Sequence, residues 1–415
     1  MIKDQSRVRW TLASALVMLF LAALPGSAWA ITVNAAVLQG DTAPSTGNGT
    51  FSAFSAVSTN ASGAIGFAAD VSGGTSSQGV FEWSKGVTSA ATVQGATAPG
   101  TGGGTFASFG TPSLNKGGAV AFVADVSSGR VSQGVFVANK GVISAVAVQG
   151  SPAPGGGQFS AFHDPSMNAS GDIAFVADLS GGTATQGVFL ARNGSISAVA
   201  LQGSLAPGGE TFDLFGAPSL NRAGAVAFVA ALTGGSAAQG MFLTSKGVTS
   251  VVALQGDAAP GTGTGTYTGF GRPSLNDGGK IAFGANVSGG TATQGVFVAS
   301  SGGVSAVALQ GSGAPGGGTF AAFSSPSLNK SGAVAFAADV SGGAAAQGVF
   351  LVSKGVISVV ALVGDTAPGT SGGTFSGFDV PPLNLGGPAL SDGGVVAFLA
   401  DVSGGTATRG IFTAG

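Results

Sequence analysis

Residues 106–148 read FASFGTPSLNKGGAVAFVADVSSGRVSQGVFVANKGVISAVAV, and this stretch decides the fold. Four runs rich in Val, Ala and Phe predict strands over 106–114, 119–126, 134–138 and 142–148. Turn residues separate them. Asn115 is placed to hydrogen-bond its own turn while Gly117 and Gly118 supply positive φ. Ser127-Ser128-Gly129 opens a second hairpin and Asn139-Lys140-Gly141 closes a third. No window shows a helical period. Four antiparallel strands in one segment, followed by a Pro- and Gly-rich connector from Gln149 to Gly157, describe a hairpin sheet with a crossing link.

The segment recurs. Gly-Val-Phe or a close variant starts at Gly79, Gly134, Gly187, Gly240, Gly295, Gly348 and Gly410, at intervals of 53 or 55 residues and a last one of 62. An Ala-Pro pair ends at Pro44, Pro99, Pro154, Pro207, Pro260, Pro315 and Pro368. The long last interval reflects an insertion around Pro381 to Gly387. Four aromatic positions per repeat account for every Phe after residue 30, with Tyr267 occupying one of them. Phe20 completes the 28 Phe of the chain. Aromatics that follow the repeat this strictly are shared core rather than a binding platform.

Seven units of about 54 residues with four strands each predict an all-β, seven-bladed β-propeller. The ends favour a closed ring. Residues 411–415 end the seventh unit on its third strand, and Ile31 to Gly40 aligns with the fourth strand of a unit, Gly141 to Gly150. That N-terminal strand is expected to pair into the last blade, leaving no open sheet edge to aggregate.

Residues 1–30 read as a secretory signal peptide. Lys3, Arg7 and Arg9 precede an apolar run from Leu12 to Leu24, and Ala28-Trp29-Ala30 makes a small-x-small cleavage site. The run is shorter than the ~20 residues that span a bilayer, so no membrane span is expected after cleavage. Residues 31–415 then form the seven-repeat propeller, with export to the periplasm, the medium or the cell surface. Without Lys3, Asp4, Arg7 and Arg9, 12 basic residues face 16 acidic ones, and only 8% of the chain is charged. Such a surface offers nucleic acid no basic footprint. The chain has no Cys, so it is stabilised without disulfides.

The motif Asn115-Lys-Gly-Gly118-Ala-Val120-Ala121-Phe122, repeated at Asn221, Gly224, Val226, Ala227 and Phe228, resembles the bacterial tandem-repeat proteins named for N-x-x-G-x-V-A-F. Those are exported, β-propeller-like proteins that carry one of several alternative surface anchors. The resemblance runs through nearly all of residues 31–415 and implies export. It brings no catalytic or binding residue, and this chain shows no C-terminal sorting segment.

Chemistry is sparse. One His and no Cys leave no zinc set, and no metal or cofactor is expected. Gly261-Thr-Gly-Thr-Gly265 ends in neither Gly-Lys-Ser nor a helix, so it reads as connector rather than phosphate loop. Acids recur at Asp70, Asp125, Asp178, Asp339 and Asp401, where capping of the following Ser-Gly-Gly turn outweighs calcium binding. The Gln before each Gly-Val-Phe reads as a hydrogen-bonding residue within its own hairpin.

A local function belongs where the copies differ. After each F-x-x-F pair stand Ser55-Ala56, Gly110-Thr111, His163-Asp164, Gly216-Ala217, Gly271-Arg272, Ser324-Ser325 and Asp379-Val380. If this strand is innermost, His163, Asp164, Arg272 and Asp379 form a polar cluster at one mouth of the channel, and these are the candidate ligand-binding residues. The favoured reading is a monomeric, exported, non-enzymatic interaction module for a protein or glycan. The alternatives are a purely structural envelope or matrix component, and a propeller glycoside hydrolase or lyase using Asp164 and Asp379 as paired carboxylates.

Overall fold

A computed structural model describes residues 31–380, 383 and 386–415. The expected signal peptide at 1–30 and part of the expected insertion lie outside them. The first repeat forms β2 (Thr50–Phe54), β3 (Ser58–Thr59), β4 (Ile65–Ser72), β5 (Gln78–Ser84) and β6 (Val87–Val93), preceded by β1 (Val33–Leu38). The hydrogen-bonded order is β2-β4-β5-β6, antiparallel throughout, with β3 also pairing β4. The same sheet occurs seven times, and the chain is a seven-bladed β-propeller. The two-residue strand of each blade touches that of the next, and the seventh touches the first, so these short strands ring the axis.

Closure follows the expected scheme. The seventh sheet is completed by β1, which pairs with Arg409–Ala414 so that Val33 faces Ala414 and Leu38 faces Gly410. Val37 is thereby buried.

The innermost strand differs from its sequence reading. Phe106 to Leu114 is not one strand but two, Thr105–Phe109 and Ser113–Leu114. Pro112, with no N–H to donate, fits the break, and Pro165, Pro218, Pro273, Pro326 and Pro388 stand at the same place, while the first blade breaks there with Val57. The residue after the second Phe still bonds to the next strand out in six blades, as Gly110 N–H does to the Val123 carbonyl at 2.9 Å.

Sheets packed face to face explain the near-continuous apolar second strand. In Val120–Ser127, Val120, Phe122 and Ala124 face the aromatic set of their own blade, Phe106 and Phe136 included. Ala121 and Val123 face Phe159, Phe162, Phe175 and Phe189 of the next. Small residues on one blade therefore make room for four rings on its neighbour. The rings meet edge-on, tilted or stacked, and Phe106 and Phe136, at 5.0 Å and 86°, take the edge-on geometry that aromatic quadrupoles prefer.

Side chains also bind blade to blade. Asn60 Oδ1 accepts the N–H groups of Ser62 and Ala64, building its own turn, while its Nδ2 donates to the Asn115 carbonyl one blade on. Asn168, Asn221 and Asn276 repeat the inter-blade bond. The Oγ of Ser113 likewise accepts Met167 N–H of the following blade at 2.9 Å.

Candidate functional site

The break between the two inner strands sets the site. Its residues are the innermost of each blade and have no partner strand toward the axis. Two cavities open there, of about 830 and 590 Å³, and both are lined by Asp164 and Arg272. His163 lines the larger and Asp379 the smaller. All four candidates thus line these cavities, three of them in each.

No hydrogen bond or ion pair joins one of them to another among the described residues. His163 Nε2 lies 3.4 Å from Asp178 Oδ1 on its own blade. Asp379 is held by Arg409 at 2.6 Å, and Arg409 also reaches Asp401 at 3.2 Å. Asp164 crosses to the preceding blade, where its Oδ1 accepts the Thr111 N–H at 3.0 Å. A side chain at Gly110 would have no room beside that carboxylate.

Arg272 is the exception. Its main-chain N–H donates to the Leu383 carbonyl at 3.2 Å. Its guanidinium makes no hydrogen bond or ion pair among the described residues, although the side chain is half-buried. Burial lowers its pKa from the ordinary value, and the field of Asp164 acts in the opposite direction. An arginine in this setting stays charged and presents a planar fork of donors to the channel.

Several residues of the channel were not singled out from the sequence. Leu214 is 53% exposed and lines the larger cavity, at a position that is Ala, Ser or Gly in the other F-x-x-F copies. That departure was the available signal. Gln239 lines the same cavity, and its Oε1 accepts Phe270 N–H at 2.7 Å. Because Ala231 replaces the recurrent acid, Gln239 Nε2 has no protein acceptor among the described residues. Leu383, from the inserted segment of the seventh blade, is buried against the fifth and sixth blades, and its carbonyl also accepts the Ser325 hydroxyl.

Two readings of the repeat need correction. Asp70 does not cap the Ser-Gly-Gly turn: its Oδ1 accepts Gln78 Nε2 at 2.8 Å, because the two residues stand directly opposite across the hairpin. The Gln does more than serve its own hairpin, since Gln78 Oε1 also accepts the Phe109 N–H of the next blade. No group of three or more metal-ligating side chains occurs among the described residues. None of their helices is long and apolar enough to cross a membrane.

A family described as "Family of unknown function (DUF7453)" matches residues 29–185, 181–345 and 238–414. No curated protein matches the chain. Similar solved structures include TolB from Acinetobacter baumannii, at 13% identity and TM-score 0.38, covering 73% of this chain and 61% of that one. A puromycin-hydrolyzing peptidase of Mycobacterium tuberculosis matches at 10% and 0.45, covering 89% and 53%. A gluconolactonase from Xanthomonas campestris matches at 10% and 0.35, covering 73% and 84%. The chain spans less than two thirds of the length of the first two.

Proposed function

The chain belongs to the family of unknown function DUF7453, and from that premise we propose that it is an exported, non-enzymatic propeller that acts as an interaction module, its partner a glycan or a protein engaged through the central channel. Export rests on the basic start, apolar run and small-x-small site of residues 1–30 and on the likeness of the repeats to the N-x-x-G-x-V-A-F proteins. The observation that carries the binding reading is Arg272. Most other copies of that position hold small residues, such as Ala217 and Ser325, so the fold does not require a cation there. A half-buried guanidinium that has the field of Asp164 beside it but no hydrogen-bond partner among the described residues is costly, and a ligand is its natural complement.

The non-enzymatic part is supported by the two carboxylates a glycosidase would need. Asp379 is engaged by Arg409 and Asp164 by the Thr111 amide. Each is committed to a donor of its own rather than paired with the other as acid and nucleophile.

Thermal shift of the full chain against glycans and divalent ions, with a chelator control, tests this. A ligand at 100 times its Kd adds about 2.7 kcal/mol, a shift of roughly 3 °C for a chain of this size. A shift that Arg272→Ala abolishes supports a channel module. No shift with any panel member, and unfolding indifferent to chelator, would count against it.

A further inference from the structure

We infer that the larger cavity takes a hydroxylated monocarboxylate of sugar-acid size, a uronate, with its carboxylate on Arg272 and its hydroxyl groups on Asp164 and Gln239. The inference rests on the channel reading above and names its ligand class. At about 830 Å³ the cavity falls in the 300–1,000 Å³ range of small-ligand sites.

Each part of the ligand answers an unmet group. The Arg272 guanidinium has no partner among the described residues, and its fork matches a carboxylate in two parallel hydrogen bonds. Asp164 uses Oδ1 for Thr111, which leaves Oδ2 to accept from a hydroxyl. Gln239 uses Oε1 for Phe270, which leaves Nε2 to donate to one. These three line one cavity together with the exposed Leu214 and with Val176 and Val229, an apolar wall for the C–H face of a ring.

Charge selects against the near alternatives. Asp164 beside Arg272 leaves the pair without net charge, so a dianion such as phosphate meets about twice the repulsion from Asp164 that a monocarboxylate does. A neutral sugar leaves the guanidinium unpaired, and an aliphatic acid leaves Asp164 and Gln239 unpaired.

Isothermal titration of the full chain with galacturonate, glucose, hexanoate and inorganic phosphate tests the assignment, with oligogalacturonate added to distinguish a polymer-borne uronate from the free acid. Galacturonate is expected to bind at least tenfold more tightly than glucose, hexanoate or phosphate. Arg272→Gln is expected to lose at least tenfold in galacturonate affinity while melting with the native protein, and Asp164→Asn to weaken it with hexanoate unaffected. Glucose, hexanoate or phosphate binding as tightly as galacturonate overturns the uronate assignment, as does an Arg272→Gln protein that binds like the native one. Ala217→Trp, which narrows the cavity, separates the two levels of the proposal. A neutral glycan that binds the native chain but not this variant keeps the channel module and sinks the uronate. If no ligand tested binds, both fall.

Discussion

The side-chain carbonyl of Gln78 accepts the main-chain N–H of Phe109, 2.8 Å away on the neighbouring blade, while its amide nitrogen donates to Asp70 at 2.8 Å on its own. One residue thus spans a hairpin and an inter-blade seam. The bond to the next blade recurs from Gln133, Gln186, Gln239, Gln294 and Gln347. It fails at the seventh blade, where Arg409 takes the Gln position and turns to Asp379 and Asp401. That seam keeps a second bond, from Gln39 just after β1, whose Nε2 donates to the Ser52 carbonyl at 3.3 Å as Gln94 and Gln149 do to Ala107 and Ser160.

Gln186 is the most buried copy, bonded to Phe215 N–H at 2.7 Å and to Asp178 at 2.8 Å. Gln186→Leu keeps comparable bulk but leaves a buried amide unsatisfied, which costs about 1–3 kcal/mol. Urea denaturation is expected to show a midpoint lowered to that extent. An unchanged midpoint would mean that water replaces the bond and that these glutamines do not hold the seam.

β1 contributes the outer strand of the seventh blade, so its loss would bare the edge of Arg409–Ala414 and uncover the site of the buried Val37. Deleting residues 31–38 is expected to abolish the folded monomer and yield aggregates in size-exclusion chromatography. A truncated chain that stays monomeric and melts like the full one would show that ring closure does not depend on this strand.

What the sequence made legible was whatever repeats locally. The strand period, the four-aromatic register and the displaced N-terminal strand could be read because each is a pattern along one chain segment. The Asn115 turn could be read as well, since Asn115 Oδ1 reaches Gly117 and Ala119 close by. The outward half of the same motif could not: Asn60 Nδ2 finds a carbonyl 55 residues away, and no local rule names such a partner. The acid and Gln were misassigned for a related reason, because Asp70 and Gln78 become neighbours only once the hairpin register is fixed. Channel positions stood out as the places where copies differ. Which of them would be neutralised, as Asp379 is by Arg409, and which left open, as Arg272 is, depended on contacts across the sheet.

Tyr267 fills an aromatic core position at 1% exposure, and its hydroxyl has no partner among the described residues. Burial, reinforced by Asp257, raises its pKa well above the usual phenol range, so it stays neutral and the cost is that of an unmet hydrogen bond. Tyr267→Phe restores the residue the other six repeats use and is expected to stabilise by about 1–2 kcal/mol. A destabilised variant in chemical denaturation would show that the hydroxyl is satisfied after all.

Glu82 replaces an apolar residue on β5, half-buried, and burial raises its carboxyl above the ordinary value. A folded-state pKa above the unfolded one gives stability that is full below the unfolded value, near 4.3, and is lost as pH rises through the folded value. Glu82→Gln removes that loss. It is expected to melt above the native protein at pH 7 and level with it near pH 4. Equal melting at both pH values would place the native carboxylate in water.

Gly284 and Leu383 occupy one space. The other blades carry Ala68, Val123, Val176, Val229, Ala337 or Leu399 at the Gly284 position, and a Cβ there would lie 2.3 Å from Leu383 Cδ2. A side chain from the insertion of the seventh blade therefore fills what the fifth blade leaves empty. Gly284→Val alone is expected to destabilise by about 1–3 kcal/mol through overpacking. Leu383→Ala alone leaves a hole and costs about 2 kcal/mol. Combined, the two should cost clearly less than their sum, because the valine occupies the vacated volume, and a double-mutant cycle by denaturation measures that coupling. Strict additivity would show that the leucine does not rest on Gly284.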